Sequence, residues 1–272
     1  MTATVQQSEQ YIIRGGTPGR NRLEILNRAL TPTTQAFFQR AGLTSGQHGL
    51  DLGCGGGAAT LALAEIVGFN GSITGIDWDA ENIAFARQRA ETLGMSQAQY
   101  QQADVRDWER DADSVDFAYG RFLMTHLDNP AALARKVRRM LKPGGRILLE
   151  DIDFAGHFCS PACRAFDQYV EWYTEAARRR GADPNIGPRL PQLVREAGFR
   201  NIQFNIVQPV FQTGEGKQMA SLTLENIADA LASNQLASGE MVADCLAELR
   251  AFEQDENTLV SLPRIFQVWA VK

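Results

Sequence analysis

The chain has 272 residues, 44% of them hydrophobic, with 27 lysines and arginines against 32 acids and a formal net charge of −5. This size and apolar content suit one large α/β domain with elaborations, and no basic cluster is long enough to form a nucleic-acid footprint. No apolar run approaches the roughly 20 residues of a membrane helix, the polar first ten residues hold no apolar signal core, and four irregularly spaced cysteines point to reduced thiols in a cytoplasmic protein.

Residues 1–10 read as unstructured, 11–20 as a glycine-rich arm, and 21–42 as two short helices, the second opening at Pro32 behind a Thr31 cap. From His48 an apolar run passes through Asp51 into Gly53, Gly55, Gly56 and Gly57, and Ala58–Glu65 follows without a helix breaker. That is a buried strand, a tight glycine turn and a helix. Glycine there accepts positive φ and lets a ligand approach the backbone. The first N–H groups of the helix then face whatever lies in the turn. The turn alone leaves two patterns open. Gly53-x-Gly55-x-x-Ala58 fits the dinucleotide fingerprint, and Asp51-x-Gly53-x-Gly55-x-Gly57 fits an Asp-led glycine turn equally well.

Further along, Ser72–Ile76 is a strand ending at Asp77, and Asp79 caps a helix whose Ile83, Ala86, Ala90 and Leu93 share one face before Gly94 stops it. A strand over 98–102 leads to Asp104 and Val105, and Ser114–Tyr119 forms a fourth. Asn129-Pro130 starts a helix that Lys142-Pro-Gly-Gly145 closes, and Arg146–Glu150 is a fifth strand running into Asp151 and Asp153. The acids Asp51, Asp77 and Asp104 recur 26 and 27 residues apart, about one βαβ period. Each should therefore end one of a series of parallel strands, where open α/β sheets bind ligands. After residue 153 the pattern changes: a helix from Ser160-Pro161 to about Arg180, a shorter one from 187 to 198, a strand over 201–210, helices over 214–256, and a last apolar strand over 265–271.

As a set, Leu50–Gly57, Gly75-Ile-Asp77, Ala103-Asp-Val105 and Leu141-Lys-Pro-Gly-Gly145 resemble the class I S-adenosylmethionine-dependent methyltransferases, specifically the small-molecule branch similar to quinone and sterol methyltransferases. The resemblance implies an α/β, Rossmann-like, doubly wound sheet of seven strands, the last antiparallel and inserted beside the fifth, with a helical lid insertion. It implies that Asp77 holds the ribose hydroxyls of S-adenosylmethionine, Asp104 (with Val105 beside it) the adenine, and the Gly53–Gly55 turn the methionine portion. By the same likeness Arg121 and His126, which follow the fourth strand, lie near the donor, His126 as the catalytic candidate. Tyr11 and Arg22 belong to a segment that folds over it, Arg22 against the methionine carboxylate. Residues 1–42 are then an arm over the cofactor site, and 43–272 the methyltransferase domain with a helical cap over 155–198 and 214–256.

The residue chemistry agrees. A sulfonium donor has no pyrophosphate to clamp, and an acid at Asp51 suits a ligand carrying an ammonium and a sulfonium. Trp78 can lay an apolar face against adenine. Ordinary alternatives stand beside these roles: Asp51 satisfying loop N–H groups, Trp78 as core, His126 held structurally, Arg22 in a surface pair. His157, Cys159 and Cys163 lack a fourth ligand, so no metal is expected. Two other functions remain open: a nicotinamide-dependent oxidoreductase using Gly53, Gly55 and Ala58, which has no use for Asp104 or the Lys-Pro-Gly-Gly turn, and a non-catalytic nucleoside-binding protein. The helix over 160–180 carries Phe166, Tyr169, Trp172 and Tyr173, too many aromatics for one stripe. With 214–256 it is expected to form a mobile lid for a small, partly apolar acceptor, with a fixed cap or a homodimer interface as the alternative.

Overall fold

The computed structural model describes residues 16–272, so the candidate Tyr11 and the readings for residues 1–15 lie outside the described residues. In chain order come α1 (Gly16–Arg40), β1 (His48–Leu52), α2 (Ala58–Val67), β2 (Ser72–Asp77), α3 (Ala80–Thr92), β3 (Ala98–Gln102), β4 (Val115–Arg121), α4 (Pro130–Met140) and β5 (Leu141–Asp153). Then follow β6 (Cys159–Ser160), α5 (Arg164–Arg179), α6 (Leu190–Glu196), β7 (Arg200–Val207), β8 (Val210–Phe211), α7 (Met219–Ser233), α8 (Gly239–Gln254), β9 (Leu259–Ser261) and β10 (Arg264–Val271). The chain forms two units. A sheet unit comprises residues 32–151, 186–206 and 266–272, and among the described residues a helical unit comprises 16–31, 152–185 and 207–265.

In the sheet unit the strand order is β3-β2-β1-β4-β5-β10-β7. β1 runs parallel to β2 and β4, β2 to β3, and β4 to β5. Beside β5, the Lys272 N–H donates to the Gly145 carbonyl at 2.9 Å, while Gln267 Nε2 donates to Glu150 Oε1 at 2.7 Å. Residue numbers fall on one strand as they rise on the other, so β10 is antiparallel, as the resemblance implied. Both faces are covered, as a mostly parallel sheet requires. Leu50, Leu52, Ile76, Ile147 and Val268 pack with Leu133 and Val137 of α4 and Leu190 and Leu193 of α6. On the other face Ile73, Phe117, Tyr119 and Leu148 pack with Phe37 and Phe38 of α1 and with Leu63 of α2 and Ile83 of α3. The caps read from sequence are present: Asp79 accepts from the Glu81 and Asn82 N–H groups, and Asn129 from that of Ala132.

The N-terminal helices depart from expectation. The two short helices near the N-terminus are a single 25-residue helix with Pro32 inside it. Proline removes one donor to the preceding turn. The helix continues because the Thr31 hydroxyl donates to the Asn27 carbonyl at 2.8 Å and because Phe37 and Phe38 are fully buried, Phe38 edge-on to Tyr119 at 4.9 Å. Packing outweighs the local signal.

The helical unit contains α5, α7, α8 and a small sheet of order β6-β9-β8. Ser160 does not start a helix; it pairs with Leu259 across β6 and β9, and α5 begins at Arg164. All four α5 aromatics are buried. Tyr173 stacks on Phe154 at 3.9 Å, and Phe166 and Tyr169 meet His157 edge-on.

The tightest test of this packing is Gly49. A Cβ there would lie 2.3–2.7 Å from the Phe117 ring, which is wholly enclosed. Gly49→Ala is expected to cost about 1–3 kcal/mol by overpacking. An unchanged urea midpoint would contradict the assigned register.

Candidate active site

The site grows from the end of β1. The N–H groups of Gly53 and Cys54 donate to the Ile76 carbonyl at 2.8 and 3.0 Å, which binds the turn to β2. Gly53, Gly55 and Gly57 take φ of +69°, +50° and +77°, a region that L side chains rarely enter. Their surroundings differ. A Cβ on Gly53 would meet Leu123 at 3.1 Å and one on Gly57 would strike the Tyr100 hydroxyl at 2.6 Å, whereas one on Gly55 meets nothing within 4 Å. Gly53 and Gly57 are therefore required by the fold, and Gly55 opens onto free space. Helix α2 follows directly behind; its N-cap Gly57 offers no side chain to the first N–H groups, and the Asp51 carboxylate answers that of Thr60.

Asp77 at the end of β2 governs the turn. Its Oδ2 accepts the Gly55 N–H at 2.8 Å and its Oδ1 the Asp79 N–H at 2.9 Å. Burial raises its pKa, and these two N–H groups and the Asn82 side chain pull it back. A carboxylate oxygen accepts more than one donor, so Asp77 fits the ribose hydroxyls that the resemblance implied. Trp78, the next residue, is partly exposed. From α3 the half-exposed Phe85 comes to 3.3 Å of where a Gly56 side chain would begin.

Behind the turn, Asp51 is buried and accepts from the Thr60 hydroxyl of α2 at 2.6 Å. Desolvation pushes its carboxyl up to about 7; Thr60 and the Arg121 cation work against the shift, and Asp77 adds to it. The acid opposes a second anion at the turn and suits a cationic ligand. Cys54 is buried with its thiol pKa raised by desolvation, so it stays protonated and is a filler.

The other candidates have particular surroundings. Asp104, past β3, accepts from the Arg106 N–H, Nε and Nη2 at 2.7–3.1 Å. Burial opposes its ionisation, yet Arg106 outweighs burial and holds the carboxyl below its usual range. Val105 is in the core beside Leu52 and Ile76. Arg121, at the end of β4, donates to Thr34 Oγ1 at 3.4 Å. His126 closes a short helical turn over Met124–His126, and desolvation lowers its pKa to about 4. It is neutral at pH 7 and a weak proton acceptor. Arg22 belongs to the helical unit, where its Nε donates to Thr223 Oγ1 at 2.8 Å.

Sequence reasoning passed over Thr60, Phe85 and Glu150. The first two become visible only when α2 and α3 are placed against the turn. Glu150 had a signal, an acid inside an apolar strand. Its carboxylate is buried and accepts from Tyr119 at 2.5 Å, Thr34 at 2.9 Å and Gln267 at 2.7 Å.

Comparison with known proteins bears on this arrangement. The family described as a methyltransferase domain matches residues 43–198. The chain is 31% identical to phosphoethanolamine N-methyltransferase 1 of Arabidopsis thaliana over 170 residues, which are 62% of this chain and 32% of that protein. It is 32% identical to 2-phytyl-1,4-naphtoquinone methyltransferase of Thermosynechococcus vestitus over 181 residues, 59% of this chain and 76% of that one. The chain thus spans about a third of the plant relative. Among solved structures, phosphoethanolamine N-methyltransferase 2 of Haemonchus contortus, in complex with phosphomonomethylethanolamine and S-adenosylhomocysteine, shares the fold. Its TM-score is 0.54 at 19% identity, with 89% of this chain and 52% of that one covered.

The raised Asp51 carboxyl has a consequence for stability. Between its unfolded value near 3.8 and about 7 the folded chain binds the extra proton. Stability therefore falls as pH rises through that window, by at most ~1.4 kcal/mol per pH unit, and is level above it. Asp51→Asn should remove this slope. Asp77 and Glu253, also raised by burial, are present in both proteins and cancel. Parallel stability curves from pH 5 to 8 for the two proteins would contradict the assignment.

Proposed function

The chain belongs to the class I S-adenosylmethionine-dependent methyltransferase family, and from that premise we propose that it transfers a methyl group from S-adenosylmethionine to a small, partly apolar acceptor. The observation that carries the reading is Asp77: a carboxylate at the end of β2, with one backbone donor on each oxygen, beside the open side of Gly55. When bound, S-adenosylmethionine supplies an electrophilic methyl on a sulfonium cation, displaced in line by the acceptor.

The chain's own residues position and desolvate. The Gly53–Gly57 backbone takes the methionine portion, Asp77 the ribose diol, and Trp78, Val105 and Asp104 the adenine side. Asp51 lies behind the turn, where a cationic donor would favour its ionised form, with Arg121 limiting the cost of its burial. His126, neutral, serves as a hydrogen-bond partner and not as a base. The acceptors named for the relatives, phosphoethanolamine and a naphthoquinone, head the panel to be screened. Acceptor choice is assigned to the helical unit, whose α7 and α8 segments lie beyond the residues that match the family. Under this reading amide exchange over residues 214–256 slows when donor and acceptor are added. Exchange already as slow as the sheet's in the free protein, and unchanged by ligands, would contradict it.

Calorimetry tests the donor directly. S-adenosylhomocysteine should bind the wild-type chain and NADH should not, since Asp51 opposes a pyrophosphate. Asp77→Asn should weaken S-adenosylhomocysteine by roughly 10- to 100-fold, the worth of hydrogen bonds to a charged group. Tight NADH binding, or equal affinity in Asp77→Asn, would return the site to the dinucleotide reading. Methyl transfer from labelled donor to any acceptor of the panel excludes a purely binding role.

A further inference from the structure

Among the strands of the sheet unit, β7 carries exposed large apolar side chains in sequence. It is last in the strand order, so β10 lies along one of its edges and no described strand along the other. Alternate residues of a strand share a side, and Ile202, Phe204 and Ile206 share one. Ile202 packs against the core, whereas Phe204 and Ile206, farther along, are 59% and 45% exposed. The other side carries Gln203 and Asn205, and Asn205 Nδ2 donates to Gln267 Oε1 on β10 at 3.0 Å. That bond ties the strand to its neighbour. Edge strands ordinarily carry charges, a proline or a bulge that stop further pairing. From Asn201 to Val207, β7 has no charge and no proline. The opposite edge strand, β3, buries its Ala98 and Tyr100 and exposes Gln99, Gln101 and Gln102.

The sequence of the strand identifies its partner. Ile202-Gln203-Phe204-Asn205-Ile206 has the same residue classes in both directions. An antiparallel copy centred on Phe204 sets Phe204 against its own copy, Ile202 against Ile206, and Gln203 against Asn205. Apolar side chains meet on one face, amides meet on the other, and the charge of Arg200 stays outside. Asn201, at a φ of +50°, ends the regular run on one side and Pro209 on the other. A lipid surface would cover the apolar face but leave the N–H and C=O groups of the edge unpaired; a second strand answers both. We propose that β7 is the contact of a homodimer, in which two chains pair antiparallel about Phe204 across a twofold axis. β7 is four positions from β1 in the strand order, so the contact is separate from the glycine turn, and it holds or fails independently of the methyl-transfer reading.

Sedimentation equilibrium of the full chain tests the contact, over roughly 1–100 µM because a short edge pairing makes a modest interface. The wild-type chain should show a reversible monomer–dimer equilibrium. Phe204→Lys sets two like charges opposite each other and should weaken association at least ~10-fold, with the unfolding temperature unchanged because the position is exposed. Cysteines read the register. Phe204→Cys brings two thiols onto opposed residues, about 4.5–5.5 Å apart at Cβ, and diamide, which takes up the two thiol hydrogens, should link it into a dimer. Arg200→Cys, four residues from the axis, sets its thiols about 27 Å apart along the pair and should link no more than the wild-type chain. The cysteine variants carry the test if Phe204→Lys fails to fold. A chain that stays monomeric throughout, a dimer unmoved by Phe204→Lys, or equal linking at positions 200 and 204 would overturn the contact. A monomer that instead sediments with phosphatidylcholine vesicles, and ceases to in Phe204→Lys, would give the stripe to a lipid surface and overturn it as well.

Discussion

The hydrogen bond from the Gly55 N–H to Asp77 is the constraint on which the site depends. It joins the glycine turn to the next strand and holds Gly55 at a positive φ with its open side clear. The same carboxylate takes the Asp79 N–H and so sets the start of α3. One side chain therefore shapes the turn and places a helix, and it cannot move without the turn moving as well.

Around that bond the sheet unit arranges charge by strand register. Asp51 stands opposite Tyr119, and Arg121 opposite Glu150, across neighbouring parallel strands. Arg121 lowers the cost of Asp51, and Glu150 is held by three neutral donors from Tyr119, Thr34 and Gln267. Buried carboxylates survive only when their lone pairs are met, and here different strands and α1 meet them. Thr34 explains why α1 runs on past Pro32: its last two turns deliver both the aromatic anchors Phe37 and Phe38 and a donor to Glu150.

Much of this was legible before any coordinates. The 26- and 27-residue spacing of Asp51, Asp77 and Asp104 placed three acids at successive strand ends, and the caps at Asp79 and Asn129 follow from local backbone chemistry. The position of β10 came from family likeness, since nothing in Arg264–Val271 itself says which neighbour it chooses. Three things were hidden. The continuity of α1 depends on burial at Phe37 and Phe38, which outweighs a proline. Arg106 folding back onto Asp104 depends on a loop conformation that two residues of spacing do not dictate. Thr60, Phe85 and Glu150 take their roles from neighbours far away in the chain, and a pattern read along one segment does not contain them.

The central claim is that the turn and Asp77 together hold the donor's nucleoside. A crystal structure of the chain with S-adenosylhomocysteine tests it most directly. The account predicts both ribose hydroxyls within hydrogen-bond distance of the Asp77 carboxylate, one on each oxygen, with the Gly55–Asp77 bond retained and the homocysteine chain along the open side of Gly55. A nucleoside seated away from Asp77, or a turn that must break its bond to Asp77 to admit the ligand, would contradict it.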